Sequence, residues 1–233
     1  MAEFHSKDKK IRDLYKYLIG CVVPRPIGWV STRSVAGEAN LAPFSFFNGV
    51  GANPPALAFS PNDRGDGMKD TCRNILEHPE FIVHVVSEPI SEQMNVTCGD
   101  YGADIDEFVE AGLTAVPGTV VDVPRVKEAL VAFECKLYQH IRMGERPPHN
   151  NHIIGEIVYW HIDDSILDEN ARNPVQPELL AAVGRMGGIE YARTTDRFEI
   201  VRPVIEADDP RSIPARKAAR EAAAAPKIPA SGG

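Results

Sequence analysis

Two neighbouring segments near the N-terminus have the pattern of β-strands but carry residues that a purely structural strand does not use. They are residues 24–32 and 40–48, which are rich in Pro, Ser, Asn and Arg. Core strands favour Val, Ile and aromatic residues, and they exclude proline because it has no N–H to donate. The connection between the segments contains Gly37, which suits a hairpin. We therefore predict a strand pair whose polar ends face a ligand.

Charge and hydropathy argue against two classes of protein. The 233-residue chain has a formal net charge of −8, whereas a general nucleic-acid binder needs a clustered basic surface. The first ten residues are charged where a signal peptide needs an apolar run. No uninterrupted apolar stretch reaches the roughly 18 residues that a membrane span needs. The expectation is a soluble, cytoplasmic protein with neither a nucleic acid nor a membrane as partner.

The cysteines and histidines do not predict a metal site. The chain has four cysteines: Cys21, Cys72, Cys98 and Cys135. They are far apart and form no CxxC pair, so neither a zinc ribbon nor a dithiol motif is encoded. His149 and His152 lie three residues apart, but the pattern offers no third ligand. We expect buried free thiols and no bound metal.

Periodicity along the chain predicts mostly strands, with helices in the connections. Helices are expected at residues 11–19, 69–79 and 177–183, with an acidic helical region at 88–111. Strands are expected at residues 21–32, 41–48, 56–60, 81–86, 129–141, 153–162 and 197–201, with weaker β signals at 113–123. Because strands and helices do not alternate regularly and no GxGxxG follows a strand, the pattern favours a closed antiparallel barrel over a Rossmann fold.

The composition changes near the C-terminus. After Glu206 the chain is dominated by Ala, Pro, Lys, Arg and Gly, without an apolar periodicity that would offset the cost of ordering. We therefore expect one domain over residues 1–206. Residues 207–233 are expected to form a disordered Ala/Pro/Lys-rich tail, with helical propensity around residues 215–225.

One short segment has the features of an anion-binding site. Lys69, Asp70 and Thr71 open a predicted helix, with Asp70 or Thr71 as the N-cap and Pro79 as the stop. A cation, a hydroxyl group and unpaired backbone N–H groups at a helix N-terminus favour negative charge. An ordinary capped helix with a solvated lysine fits these residues as well, so both interpretations stay open on the local pattern.

Several short motifs follow one another over roughly residues 11–202. They are RPIGWVST at residues 25–32, Gly37, NLAPFSFF at 40–47, Pro54-Pro55, KDT at 69–71, Asn74-Ile75, HIIGEI at 152–157 and GRMGGIEY at 184–191. In this order and spacing the sequence resembles the flavin reductase family, which has the FMN-binding split-barrel fold. The set is much more specific than any one of its motifs.

The resemblance implies a mainly β fold, namely a six-stranded antiparallel Greek-key split barrel with peripheral helices. It implies a homodimer with FMN at or near the subunit interface and hydride delivered from NADH or NADPH. The implied cofactor-binding residues are Arg25, Trp29, Val30, Ser31, Thr32, Asn40, Ala42, Pro43, Ser45, Phe46, Lys69, Asp70, Thr71 and Arg185. Residues 29–32 and 40–46 would line the isoalloxazine and ribityl groups, and residues 69–71 would contact the phosphate.

The resemblance leaves alternative roles open for His152 and Arg185. His152, the implied catalytic residue, would contact nicotinamide or the acceptor, or else be structural. Arg185 would touch FMN or a nicotinamide phosphate, or else pair with an acidic residue. Flavin brings its own redox chemistry, so no strong acid–base pair is required of the protein.

Three functions follow from this interpretation. The leading one is an FMN-dependent NAD(P)H:flavin oxidoreductase that supplies reduced flavin to a separate flavin-dependent monooxygenase. The second keeps FMN bound and reduces a small organic acceptor. The third is a non-catalytic flavin-binding protein or electron carrier without an NAD(P)H site. Whether FMN stays bound or is exchanged as a substrate separates the first two.

Overall fold

The computed structural model describes residues 1–65, 67–207 and 209–224. The chain divides into two compact units, Met1–Asp196 and Arg197–Gly233. The first unit holds all the described strands and five of the six described helices. It therefore contains every residue that the sequence analysis assigned to a site.

The first unit is built mainly from strands. Its strands are β1 (Arg25–Pro26), β2 (Gly28–Arg33), β3 (Ala39–Phe44), β4 (Phe47–Ala52), β5 (Pro55–Phe59), β6 (Glu80–Val85), β7 (Ala115–Pro117), β8 (Pro124–Val126), β9 (Val131–Met143), β10 (Asn150–Ile162), β11 (Val183–Arg185) and β12 (Tyr191–Arg193). Its helices are α1 (Ile11–Cys21), α2 (Asp70–Glu77), α3 (Ser91–Val96), α4 (Glu107–Glu110) and α5 (Pro177–Leu180). None of the described helices is both long and apolar enough to cross a membrane.

The main sheet has seven antiparallel strands in the order β3-β2-β6-β9-β10-β5-β4. Its two edge strands, β3 and β4, follow each other in the chain and are separated only by Ser45 and Phe46. Two residues span a short distance, so the edges meet at one end and the sheet must curl into a barrel that is split between β3 and β4. This architecture confirms the predicted mainly β, antiparallel split barrel.

The single strand predicted at residues 41–48 is two strands, which raises the strand number from six to seven. β3 pairs with β2, and β4 pairs with β5 on the opposite side of the split. The chain turns between them at Ser45 and Phe46, which belong to neither the β2–β3 pair nor the β4–β5 pair. The predicted strand at residues 21–32 is likewise broken at Ile27, so that β1 joins β11 and β12 in a small second sheet.

Aromatic rings fill the inside of the barrel. Phe44, Phe59 and Phe81 lie in one buried cluster together with Cys72 and Ile75 of α2, which packs against β2 and β3. A Cβ atom added at Gly155 on β10 would overlap the ring of Phe81. Glycine is therefore required here because the strand backbone passes directly over an aromatic ring.

The N-cap predicted for α2 is wrong. Lys69 occupies the N-cap position and makes no side-chain cap hydrogen bond. Thr71 lies inside the first turn, where its Oγ1 accepts a hydrogen bond from Asn40 Nδ2 at 2.9 Å. Since this hydroxyl is used by the neighbouring strand, it does not cap the helix. The helix ends at Glu77, before Pro79, as predicted.

Other predicted elements differ in extent. The acidic region 88–111 contains only α3, α4 and a short 3₁₀ turn at Glu88–Ile90, with Gly99 and Gly102 in the segment between the two helices. The helix predicted at residues 177–183 stops at Leu180 because Ala181 adopts a left-handed φ of 45°. The weak β signals at 113–123 correspond to the β7–β8 pair.

The strand predicted at residues 197–201 is wrong, because this segment has no strand pairing in the described structure. Its β-branched and aromatic residues predict a strand, but a strand also needs a hydrogen-bonded neighbour. In the same second unit, α6 covers Ile213–Ala224. The tail prediction for residues 207–233 thus includes a described helix, whereas Asp208 and residues 225–233 lie outside the described residues; the 206/207 boundary stays a prediction.

All four cysteines are free, but only two are buried. Cys72 and Cys135 lie in the barrel core, and burial raises the pKa of the Cys72 thiol to about 12. Cys21 and Cys98 are exposed, so the expectation of buried thiols is wrong for these two. Cys21 ends α1 and Cys98 follows α3, and tertiary packing decides that both side chains are exposed.

Candidate functional site

A cavity of about 990 Å³ lies beside the split of the barrel. Its lining residues are Ile11, Arg12, Tyr15, Pro43, Phe44, Ser45, Phe46, Ser60, Asn62, Asp63, Arg64, Gly65, Lys69, Cys98, Asp100, Tyr101, Pro148, His149 and Asn150. These residues come from α1, the β3–β4 turn, the loops after β5 and α3, and the tip of the β9–β10 hairpin. We call it the main cavity.

A second cavity of about 220 Å³ adjoins the main cavity. The two share five lining residues: Pro43, Arg64, Lys69, Cys98 and Tyr101. The smaller one, which we call the side cavity, is also lined by Asn40, Ala42, Asp70 and Thr71. The two cavities together therefore bring the predicted residues of β3, the β3–β4 turn and the start of α2 to one groove.

Two cations lie at the junction of the cavities. Arg64 pairs with the exposed Asp100 at 3.2 Å. Lys69 Nζ lies 5.3 Å from the centroid of the Phe44 ring and has no hydrogen bond or ion pair within the described residues. Burial lowers the pKa of Lys69 and the nearby Arg64 charge lowers it further, while the charge of Asp100 opposes this shift in part. A cation that is partly buried without a carboxylate partner favours an anionic ligand.

The start of α2 adds hydrogen-bond donors beside Lys69. The backbone N–H groups of Asp70 and Thr71 precede the first intrahelical hydrogen bonds, in which Cys72 and Arg73 donate to Lys69 O at 3.0 Å. The Asp70 carboxylate pairs with the Arg73 side chain. This pairing reduces the negative charge that Asp70 would otherwise place at the helix start.

A small hydrogen-bond network holds the floor of the side cavity in place. Asn40 Nδ2 donates to Thr71 Oγ1 at 2.9 Å and to Thr32 Oγ1 at 3.3 Å. Asn74 Nδ2 donates to the same Thr32 hydroxyl at 3.1 Å. Thr32, a predicted cofactor residue, is thus buried behind the cavity and joins β2, β3 and α2.

The other predicted residues of β2 are also buried behind the groove. Trp29 Nε1 donates to Thr97 Oγ1 at 2.9 Å, and Ser31 Oγ donates to Pro124 O at 2.6 Å. Val30 belongs to the barrel core. The side chains of these three residues line neither cavity, so the contact predicted for them with flavin stays a prediction while their observed contacts are structural.

Arg25 lies behind the β3–β4 turn. Its guanidinium donates to Ile19 O and Val22 O at 2.7 Å and to Met186 O at 3.0 Å. Its Nε donates to Ser45 Oγ at 3.3 Å, and Ser45 lines the main cavity. Arg25 therefore connects the end of α1 to the turn and positions Ser45.

The predicted catalytic residue His152 lies behind the wall of the main cavity and contacts a residue of that wall. Its Nδ1 is 3.0 Å from Ser60 Oγ, and Ser60 lines the main cavity while His152 does not. The catalytic role of His152 stays a prediction. Within the described residues, its hydrogen bond with the Ser60 hydroxyl connects it to the cavity wall.

Arg185 lies in a separate cavity of about 510 Å³ between α3 and the β11–β12 pair. Its guanidinium carbon is 4.5 Å from the centroid of the Tyr191 ring, and Nη2 donates to Gly188 O at 2.7 Å. Within the described residues the acidic partner Glu88 is taken by Arg193 instead. Arg185 thus lines neither the main nor the side cavity, although its charge acts on Cys98, which lines both.

The main cavity contains a buried carboxylate that the sequence analysis did not select. Asp63 Oδ2 accepts from His149 N at 3.0 Å, and Oδ1 accepts from Asn151 Nδ2 at 2.7 Å. Burial opposes ionisation of Asp63, but the hydrogen bonds from His149 and Asn151 outweigh it, so its pKa is lowered. The carboxylate ties the loop after β5 to the hairpin tip and thereby shapes the cavity wall.

Sequence reasoning also missed Arg64, Tyr101, Tyr15 and Glu107. All four lie outside the motifs, in loops or on helices, and they reach the groove only through folding. The one available signal was the charged, glycine-containing loop at residues 62–68, which precedes the α2 start.

Comparison with known proteins finds a matching family model, similar sequences and similar solved structures. Residues 19–189 match the family model described as "Flavin reductase like domain". An uncharacterised protein of Aquifex aeolicus is 45% identical over 193 residues, which cover 82% of this chain and 95% of the relative.

The first structure is nitrilotriacetate monooxygenase component B from Bacillus cereus, which is 32% identical with a TM-score of 0.82 and covers 86% of this chain and 98% of that one. The second is 2-nitrobenzoate 2-nitroreductase NbaA from Pseudomonas fluorescens, which is 33% identical with a TM-score of 0.78 and covers 88% of this chain and 98% of that one. Both similarities extend over nearly the whole of the compared structures.

Proposed function

The chain belongs to the flavin reductase-like family, and on that premise we propose that it binds FMN and transfers hydride from NADH or NADPH to flavin. The observation that carries this proposal is the groove with a cationic end. Arg64, Lys69 and the open N–H groups of α2 lie at one end, and the turn from Pro43 to Phe46 lies along the main cavity. A ligand with a planar ring and a phosphate matches these two ends.

The residues present fit the phosphate of FMN. Phosphate oxygens accept charge-assisted hydrogen bonds from an ammonium group and from helix N-terminal amides. Lys69 and the amides of Asp70 and Thr71 supply both kinds of donor at the side cavity. The volume of the main cavity, about 990 Å³, is at the upper end of the range usual for small-molecule sites.

The remaining residues would bind and orient the ligand. Bound flavin would supply the hydride chemistry itself. Ser45, held by Arg25, and the half-buried Phe46 would contact the ring, and Tyr15 packs edge-on against Phe46 with centroids 6.2 Å apart. Arg64 and Lys69 would hold the phosphate. His152 would act through Ser60, which makes it a positioning residue in this proposal.

The partner in this proposal is a flavin-dependent monooxygenase that receives the reduced flavin. Support comes from the similarity to a monooxygenase component B. The proposal includes the homodimer expected from the resemblance. Several apolar side chains of the β9–β10 hairpin are exposed and would be covered in such a dimer: Tyr138, Ile141, Met143, Tyr159 and Trp160. The cytoplasmic location remains an expectation from the sequence.

A second candidate is an FMN-bound reductase of a small organic acceptor. It is favoured by the similarity to a nitroreductase that acts on 2-nitrobenzoate. The main cavity extends past the β3–β4 turn to Arg12 and Tyr15 of α1, so it offers a cation and an aromatic ring beyond the turn. An aromatic anion would suit these two side chains.

Steady-state oxidation of NADH and NADPH tests the proposal. With purified protein we expect turnover that saturates with added free FMN, because flavin is then a substrate. Turnover that needs only stoichiometric FMN and an organic acceptor would favour the second candidate. Absence of nicotinamide oxidation under both conditions would contradict both and leave a flavin-binding protein or electron carrier.

Replacing Lys69 with alanine should weaken FMN about 10- to 150-fold and leave riboflavin nearly unchanged. The reason is that a charge-assisted hydrogen bond to phosphate contributes on the order of 1.5–3 kcal/mol, and riboflavin has no phosphate. Flavin fluorescence titration measures both affinities. Lys127→Ala, which removes an exposed lysine away from both cavities, is the matched control. Equal losses for the two flavins would place the phosphate elsewhere.

A further inference from the structure

Glu107 is a buried acid at the side cavity that the proposed function does not use. It is the first residue of α4, and only 8% of its surface is exposed. Its Oε2 accepts the backbone N–H of Leu41 at 3.0 Å. It lines the side cavity together with Asn40, Lys69 and Thr71. Glu107 therefore borders the space next to the start of α2.

The hydrogen bond to Leu41 explains part of the position of Glu107. β3 is an edge strand of the main sheet, and an edge strand has outward N–H groups that need partners. Leu41 uses Glu107, and Pro43 has no N–H to offer. A neutral glutamine would accept the same hydrogen bond. The structural task alone thus does not require a charge at this position.

The charges around the side cavity are of both signs. Arg64 and Lys69 supply the cations, and the acids are Glu107, Asp70 and, near Glu107, Asp106. Asp70 is paired with Arg73, while Asp100, from the loop after α3, is paired with Arg64. Glu107 has no cationic partner within the described residues. Burial raises the pKa of Glu107, and the charges of Asp106 and Asp70 add to this effect. The hydrogen bond from Leu41 opposes it only in part, so the pKa of Glu107 is raised overall.

We propose that Glu107 sets the affinity of the side cavity for the phosphate end of FMN by placing a negative charge opposite it. This inference rests on the proposed function, because it takes the phosphate to lie at Lys69 and Thr71. An ionised Glu107 repels the phosphate and offsets part of the attraction of Arg64 and Lys69. FMN is then held loosely enough to leave the protein, as a flavin supplied to a second enzyme must do.

The effect of removing the charge follows from its sign. Glu107→Gln keeps an acceptor for Leu41 N–H and removes the repulsion, so FMN should bind about tenfold more tightly above neutral pH, the size expected for two charges across a small, partly buried cavity. Riboflavin should bind equally to both proteins. The difference between Glu107→Gln and the wild type should shrink as the pH falls, because a protonated Glu107 carries no charge either.

The experiment is a fluorescence titration of the full-length protein with FMN and with riboflavin, from about pH 5 to about pH 8.5, on both sides of the second phosphate ionisation. The proteins are the wild type, Glu107→Gln, Glu107→Asp and Glu110→Gln. Glu107→Asp keeps the charge and changes the packing, so it should show no gain in FMN affinity. Glu110 is exposed on the same helix and provides the matched control.

The outcomes separate this inference from the proposed function. Tighter FMN binding by Glu107→Gln alone, with riboflavin unchanged, supports it. If Lys69→Ala selectively weakens FMN while Glu107→Gln has no effect, the phosphate site stands and the inference is overturned. A gain shared by Glu107→Asp, or by riboflavin, overturns it too, because packing would then be the cause. If FMN does not bind, or Lys69→Ala weakens both flavins equally, the proposed function and the inference fall together.

Discussion

Replacing Glu134 with alanine is expected to lower the free energy of unfolding by about 3–5 kcal/mol, the usual cost of breaking a buried, fully bonded charge. Glu134 lies on β9 and is fully buried. Its carboxylate accepts hydrogen bonds from His161 Nε2 at 2.6 Å and from the backbone N–H groups of Thr119, Val120 and Val121 at 2.5, 2.7 and 3.0 Å. Alanine would leave all four donors without this acceptor.

The hydrogen bonds of Glu134 also give a pH signature. Burial opposes ionisation, but the bonds from His161 and the three amides outweigh it, so the pKa of Glu134 is lowered. Its contribution is present above the pKa of an unfolded glutamate and is lost as the pH falls through the lowered value. Denaturant unfolding at several pH values measures this. The exposed Glu169→Ala is the control, and an equally small effect of both replacements would contradict the prediction.

Acidification from pH 6.5 to about pH 4 is expected to remove about 3 kcal/mol of stability through His84 alone. Burial is the main cause that lowers the pKa of His84 from 6.5 to about 4, with smaller contributions from the charges of Arg125 and His161 and an opposing one from the hydrogen bond to Trp29. Its Nδ1 lies 2.8 Å from Trp29 O, and Val126 N donates to Nε2 at 3.0 Å. The ring is thus neutral, with its proton on Nδ1 and its other nitrogen used as an acceptor.

The sign follows from proton uptake. Below pH 6.5 an unfolded His84 binds a proton that the folded protein does not bind, so acid stabilises the unfolded chain until the pH reaches about 4. Each unit of the pKa difference is worth about 1.4 kcal/mol. His84→Gln should lower stability at neutral pH yet flatten the profile in this window, whereas the exposed His5→Gln should leave it unchanged. Parallel profiles for wild type and His84→Gln would contradict the assignment.

Both predictions concern the frame that holds the groove. His84 ties β6 to β2 and to β8, so it supports the strand that carries Trp29 and Thr32. Glu134 ties β9 to the loop between β7 and β8. Neither residue lines the main or the side cavity. Losses at these positions should therefore reduce stability first and flavin affinity only as the protein unfolds.

The residues of the groove were predictable to different degrees. Lys69 and Thr71 could be found because a cation and a hydroxyl at a helix start form a local pattern. Pro43 and Ser45 could be found because they are wrong for a packing strand. Glu107 carries no local signal, and Arg64 has only that of its charged, glycine-containing loop, since a charge in a loop or on a short acidic helix is usually solvated. Their proximity to Lys69 depends on how the loop after β5 and the connection from α3 to α4 fold beside β3.

The sequence alone determined the mainly β composition of this protein, the hairpin of β2 and β3, the end of α2 before Pro79 and the family, because these depend on local periodicity and on motifs in a fixed order. Only the tertiary structure decided that residues 41–48 form two edge strands and that β2 faces the core. It also decided that Arg25 and His152 lie behind Ser45 and Ser60, and that Glu107 joins the groove. The physical reason is that burial, charge pairing and strand pairing depend on residues that are distant along the chain. Short-range patterns do not contain this information.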